Sequence, residues 1–146
     1  MEQIVGSTLK KNESEDQPVQ VLQKVKLVGL YFSASWCPPC TKFTVTLNDF
    51  YQLINSENHQ FEIVLVPFDK SEKAFEDYFK KMGWLSIPFG NAKIDEVSKQ
   101  FEVSGIPRFF ILTPKGDVIS TDGRKEVTTM GEEAFAGWLK IAETKK

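Results

Sequence analysis

Lys26-Leu27-Val28-Gly29-Leu30-Tyr31-Phe32-Ser33-Ala34-Ser35-Trp36-Cys37-Pro38-Pro39-Cys40 is the stretch whose reading decides the fold. Lys26 to Ser33 is a near-continuous apolar run, which predicts a central strand buried on both faces. The cysteine pair follows at once. Beyond it Phe43, Leu47, Phe50, Tyr51 and Ile54 recur at helical spacing, so a helix is expected to open within the pair. Asn55 to Asn58 reads as its end.

Working outward, Phe61 to Phe68 is a second buried strand, interrupted near its end by Pro67. Ser71 followed by Ala74, Phe75, Tyr78, Phe79 and Met82 reads as a capped amphipathic helix. Trp84 to Phe89 is a short apolar segment, and Ala92 to Phe101 a short polar helix. Arg108 to Thr113 and Val118 to Thr121 form a hairpin through the turn Pro114-Lys115-Gly116-Asp117. Phe135, Trp138, Leu139 and Ala142 share one face of a last helix, whereas Arg124-Lys125 is expected to solvate a loop. Upstream, Ile4 to Leu9 reads as a short strand, Lys10 to Gln17 as an exposed loop, and Pro18 to Val25 as a short helix or irregular cover. Alternating strands and helices followed by a hairpin imply an α/β protein with a central mixed sheet flanked by helices on both faces. The expected layout is an N-terminal extension over residues 1–17 and a single domain over 18–146.

The bulk properties narrow the function. The 146 residues include 41% hydrophobic ones, with 12 Phe, 3 Tyr and 3 Trp, enough for one packed core without disulfide staples. A net charge of -2 with scattered Lys and Arg argues against nucleic acid. No run of about 18 apolar residues suggests a membrane span. The opening Met1-Glu2-Gln3-Ile4-Val5-Gly6 lacks the basic-then-apolar layout of a secretory signal, so a cytoplasmic location is expected. Two cysteines close together are not a secreted disulfide framework.

Cys37 and Cys40 are the candidate catalytic residues. The thiolate is the nucleophile in disulfide exchange, and the unpaired N–H groups of a helix N-terminus favour it. Cys37 falls where the strand gives way to the helix. Cys40, three positions on, can attack a mixed disulfide formed at Cys37. Pro38 and Pro39 restrict the loop between them, and first-turn prolines cost the helix no hydrogen bond. A Cys-x-x-Cys alone is a weak signal. After a buried strand, behind a tryptophan and opening a helix, it is strong. The rival reading is a metal site, but structural zinc takes four ligands. The chain offers two Cys and one His, His59, in a polar loop. No metal and no cofactor are therefore expected, only a redox-active Cys37–Cys40 disulfide. Gly105-Ile106-Pro107 before a late strand is a second constellation, either a cis Ile106–Pro107 bond or an ordinary strand-start proline.

These segments resemble the thioredoxin superfamily, and more narrowly its tryparedoxin and nucleoredoxin branch. The narrower match rests on Leu30 to Cys40, on Lys81-Met82-Gly83-Trp84-Leu85-Ser86-Ile87-Pro88-Phe89, and on Gly116-Asp117-Val118-Ile119 with Gly123-Arg124. The resemblance implies a thioredoxin fold, with Cys37 as attacking and Cys40 as resolving thiol. It further implies Trp36 covering the disulfide and Pro107 as a cis-proline facing it. Partners implied are disulfide-containing proteins such as peroxiredoxin-type enzymes, with a small thiol or a reductase as electron donor, and a monomer. Tyr31 stands where thioredoxins proper carry a buried acid. It is a poor base near neutral pH, and core packing is its expected role. Arg108 replaces a small or hydroxyl residue. Its charge is expected either near Cys37, favouring the thiolate, or in solvent. Gly83 and Gly90-Asn91 also depart from the branch. The leading function is a protein-disulfide reductase. The competitors are a non-catalytic binding module on the same fold and a secretory oxidant or isomerase.

Overall fold

The structure, a computed structural model, describes residues 1–12 and 14–145. Its strands are β1 (Thr8–Lys11), β2 (Gln17–Pro18), β3 (Leu27–Ser33), β4 (Phe61–Pro67), β5 (Leu85–Ser86), β6 (Arg108–Leu112) and β7 (Val118–Ser120). Its helices are α1 (Glu2–Val5), α2 (Pro38–Ile54), α3 (Glu72–Phe79), α4 (Lys93–Gln100), α5 (Gly123–Met130) and α6 (Glu133–Glu143), with a 3-10 turn over Val19–Lys24. The sheet order is β2-β1-β5-β4-β3-β6-β7. The pairs β3–β4 and β4–β5 are parallel, and the rest are antiparallel. This is the expected mixed sheet and a thioredoxin fold.

Every residue of β3 and β4 is buried, as continuous apolar strands between two helical layers must be. Alternation divides their side chains between two cores. Leu27 and Tyr31 join Phe43, Leu47 and Phe50 of α2, with Phe109 and Trp138. Val28, Leu30 and Phe32 face the other way, toward Ile4, Val97 and Leu22. Thus α2, α3, α5 and α6 cover one face, and α1, the 3-10 turn and α4 the other. Trp84 and Trp138 are core residues.

Three local expectations are corrected. Ile4 to Leu9 is not one strand: a helical turn ends at Val5 and β1 starts at Thr8. Lys10 and Lys11, expected in a loop, pair with Ser86 and Leu85. Asn12 donates to the carbonyls of Phe79 and Met82, the latter at 2.8 Å. Arg124-Lys125 lies in α5 rather than in a loop, although only Gly123 and Val127 of that helix are buried.

Candidate active site

The site begins with how α2 starts. Cys37 has extended φ and ψ of -108° and 105° and occupies the N-cap position, with Pro38 and Pro39 in the first turn. N-caps are normally oxygen-bearing residues whose side chain accepts an orphan amide. Here sulfur takes that place: Cys37 Sγ accepts from Cys40 N at 3.3 Å. The prolines carry no N–H, so Cys40 N is the first amide of the helix able to donate, and it donates to this sulfur. Cys37 and Cys40 are joined as a disulfide. Cys37 is 6% exposed and Cys40 is fully covered, so an incoming sulfur can meet Cys37 and not Cys40.

A shallow cleft of about 400 Å³ lies over Cys37, walled by Trp36, Pro38, Pro39, Phe68, Ser104 and Ile106 among others. The Ile106–Pro107 bond is cis, which resolves the open choice at that position. Ile106 O lies 3.9 Å from Cys37 Sγ. Pro107 is buried behind it.

The segment after β4 orients the cysteine loop. Phe68 N donates to Ser33 O at 2.9 Å, and Phe68 O accepts from Trp36 Nε1 at 3.0 Å. Asp69 Oδ1 accepts from Ser35 N at 2.7 Å. Lys70 Nζ sits 5.3 Å from the centre of the Trp36 ring. Trp36 is therefore held in place although 52% exposed. Sequence reading missed Phe68 and Asp69. The available signal was an acid directly after a buried strand, where strand ends meet an α/β site.

Beneath the pair lies a buried hydroxyl cluster. Tyr31 OH donates to Cys40 O at 3.0 Å and lies 2.7 Å from Thr44 Oγ1. Thr44 Oγ1 contacts Tyr78 OH at 2.6 Å, and Tyr78 OH contacts Ser33 Oγ at 2.7 Å. One consistent proton order runs Ser33 to Tyr78 to Thr44 to Tyr31 to the carbonyl, each hydroxyl donating once. Burial, followed by neighbouring Tyr78, pushes the Tyr31 hydroxyl well above its ordinary value. It stays protonated near neutral pH and serves as a donor. Tyr31 also packs edge-on against Phe43, Trp84 and Phe109, in keeping with the packing role expected of it.

The structure thus brings Trp36, Cys37, Pro38, Pro39 and Ile106 together at the cleft, with Pro107 and Tyr31 behind. Arg108 is elsewhere. Its guanidinium stacks 4.6 Å from the Phe110 ring centre and donates to Thr121 O at 3.2 Å. Neither contact involves a cysteine. His59 is more than a solvated loop residue, for its Nε2 lies 3.0 Å from Glu62 Oε2. Among the described residues no cluster of three or more His, Cys, Asp or Glu could hold a metal ion. No described helix is long and apolar enough to cross a membrane.

A cysteine at a helix N-cap, bonded to a covered cysteine one turn later and faced by a cis-proline, can pass two electrons between dithiol and disulfide. A Thioredoxin-like family model matches residues 24–118. Nucleoredoxin of Xenopus laevis is 40% identical over 126 residues, covering 86% of this chain and 30% of that protein. Nucleoredoxin of Homo sapiens is 42% identical over 101 residues, covering 68% of this chain and 23% of that protein. The chain therefore spans under a third of the length of these curated relatives. Among solved structures, tryparedoxin from Trypanosoma brucei superposes with a TM-score of 0.81 at 36% identity, covering 92% of each chain. Tryparedoxin II complexed with glutathionylspermidine gives 0.79 at 34% identity, covering 86% of this chain and 88% of that one. The chain belongs to the thioredoxin-like family, in its tryparedoxin and nucleoredoxin branch. Family, fold and bonded pair together define a thioredoxin-like domain with a cysteine pair joined at a helix start.

Proposed function

We propose that this chain reduces disulfides in partner proteins through a Cys37/Cys40 dithiol–disulfide cycle. The observation that carries the reading is the asymmetry of the pair: Cys37 reachable at the N-cap and receiving the Cys40 amide, Cys40 covered behind it. In the reduced protein the Cys37 thiolate attacks one sulfur of a partner disulfide. The partner S–S bond breaks, and its other sulfur leaves as a thiolate and takes a proton from water. Cys40 then loses its proton to water and attacks Cys37 Sγ. The mixed disulfide breaks, the second partner thiol departs, and Cys37–Cys40 is left oxidised with two electrons transferred. Trp36 and Pro39 wall the cleft, while Ile106 faces the incoming backbone and Pro107 supports it from behind.

Peroxiredoxin-type enzymes are the partner class this reading favours. A small dithiol, glutathione or a reductase recharges the pair, and no other cofactor takes part. The working form is a cytoplasmic monomer. Insulin reduction with dithiothreitol as donor tests the reading. Wild type is expected to accelerate it, Cys37→Ser to abolish the acceleration, and Cys40→Ser to accumulate a mixed disulfide visible by mass. Acceleration that survives Cys37→Ser would refute the cycle.

A further inference from the structure

A second, larger groove of about 780 Å³ runs on from the active-site cleft along α4. The two share Trp36, Phe68 and Ser104, so whatever reaches Cys37 can continue into it. Phe68, Phe89, Ile94 and Val103 give its lining an apolar part. The charge is one-sided: Asp69, Asp95 and Glu102 line it, against Lys99 alone. Lys70 sits at the near end, on Trp36.

Two of these carboxylates have a feature that folding alone does not explain, although Asp69 Oδ1 takes the Ser35 amide. Asp69 is 8% exposed, and its Oδ2 has no partner among the described residues. A buried carboxylate oxygen left alone is costly. Glu102 has φ 53°, and is the only non-glycine residue at positive φ among those described. It closes α4: Glu102 N donates to Lys99 O at 3.1 Å and Val103 N to Ser98 O at 2.9 Å. That is the left-handed helix stop at which glycine is favoured over a residue with a side chain. Neither Asp95 nor Glu102 enters an ion pair among the described residues.

We propose that this groove receives the chain segment flanking a partner protein's disulfide, and that Asp95 and Glu102 select a lysine or arginine in it. The inference rests on the exchange chemistry proposed above and adds a partner class to it. Continuity with the cleft gives the segment its path. The apolar lining takes one of its side chains, and Asp95 and Glu102 take its cation. Asp69 below adds charge of the same sign.

The test uses peptides carrying one Cys joined to thionitrobenzoate, with Lys or Glu placed two to five residues from it. Cys37 thiolate attacks the peptide sulfur, and thionitrobenzoate leaves as its coloured thiolate. It is the better leaving group because its thiol pKa is lower. Cys40 then releases the peptide thiol. At low salt the best Lys peptide is expected to react about 5–10 times faster than its Glu twin, in the range of electrostatic steering. In the double variant D95N/E102Q, or at 1 M salt, that ratio is expected to fall to about 2 or less. Both substituted side chains are exposed, so the variant should fold. Equal rates for the twins with wild type, or an undiminished ratio in the double variant, would overturn the inference while leaving the reductase reading intact. Failure to release thionitrobenzoate from either twin, together with failure to reduce hydroxyethyl disulfide, would overturn both.

Discussion

Thr44 is the residue on which the buried hydroxyls converge, lying within hydrogen-bond reach of Tyr31, Tyr78 and the Cys40 carbonyl. Thr44→Val keeps the shape and removes the hydroxyl, leaving buried Tyr31 and Tyr78 short of a partner. Such orphaning costs about 1–3 kcal/mol. We expect a urea midpoint lowered accordingly with an unchanged m-value, while Thr44→Ser recovers most of the loss. Arg108 behaves differently. Its guanidinium lies on Phe110 and Thr121, so Arg108→Ala should cost about 0.5–1 kcal/mol in stacking and packing. The alkylation rate of reduced Cys37 at neutral pH is expected to stay as in wild type. A severalfold fall would show that the guanidinium reaches the sulfur after all. None of this was legible one residue at a time. Cys37 and Cys40 announce themselves by spacing, whereas Thr44 and Tyr78 look like ordinary helix residues until α2 and α3 meet over β3.

At the scale of elements, β6 lays the Phe109 ring directly over Gly29 of β3. A Cβ built on Gly29 would lie 2.5 Å from Phe109 Cε1, and the ring also packs on Phe61 and Tyr31. The ring has nowhere to go. Gly29→Ala is therefore expected to cost about 1–3 kcal/mol by overpacking, read as a lowered thermal midpoint. Helix α3 depends on its cap, because Ser71 Oγ accepts from Ala74 N at 3.2 Å. Ser71→Ala should cost about 1 kcal/mol. The cap was readable from sequence, since a serine three residues before the first buried-face position has few other roles. The elements sequence missed are those with little apolar signal of their own. Helix α5 buries only Gly123 and Val127, and β5 is two residues long and becomes a strand by lying between β4 and β1.

At the scale of the whole molecule, pH acts through Glu62, at the start of β4 while the cysteines follow the end of β3. Burial raises its pKa from 4.5, partly offset by the Ile63 amide, His59 and Tyr51. A carboxyl whose folded pKa is raised binds its proton more tightly folded than unfolded. Its contribution is therefore fully present below about pH 4.5 and declines as pH rises toward the folded value. Glu62→Gln should remove that decline. The stability difference, variant minus wild type, is expected to grow from pH 4.5 to neutrality in urea titrations. A difference flat across that range would contradict the assignment of Glu62 as a buried, proton-retaining group. The same carboxyl accepts from Tyr51 OH at 3.0 Å, so the variant must be compared with Tyr51→Phe to separate charge from the lost bond.

What the sequence determined by itself is the local and periodic part: two largely apolar strands, an amphipathic α2, the hairpin of β6 and β7, and a cysteine pair at a strand-to-helix junction. Each is written in neighbours a few residues apart, where spacing alone forces a face to be buried. What only tertiary structure decided is everything made by segments distant in the chain. Asp69 reaches Ser35 across 34 positions, Ile106 reaches Cys37 across 69, and Lys10 pairs with Ser86. Those contacts exist because the sheet order brings distant strands and their ends side by side. Side chains with no local periodicity carry no trace of that order until the sheet has formed.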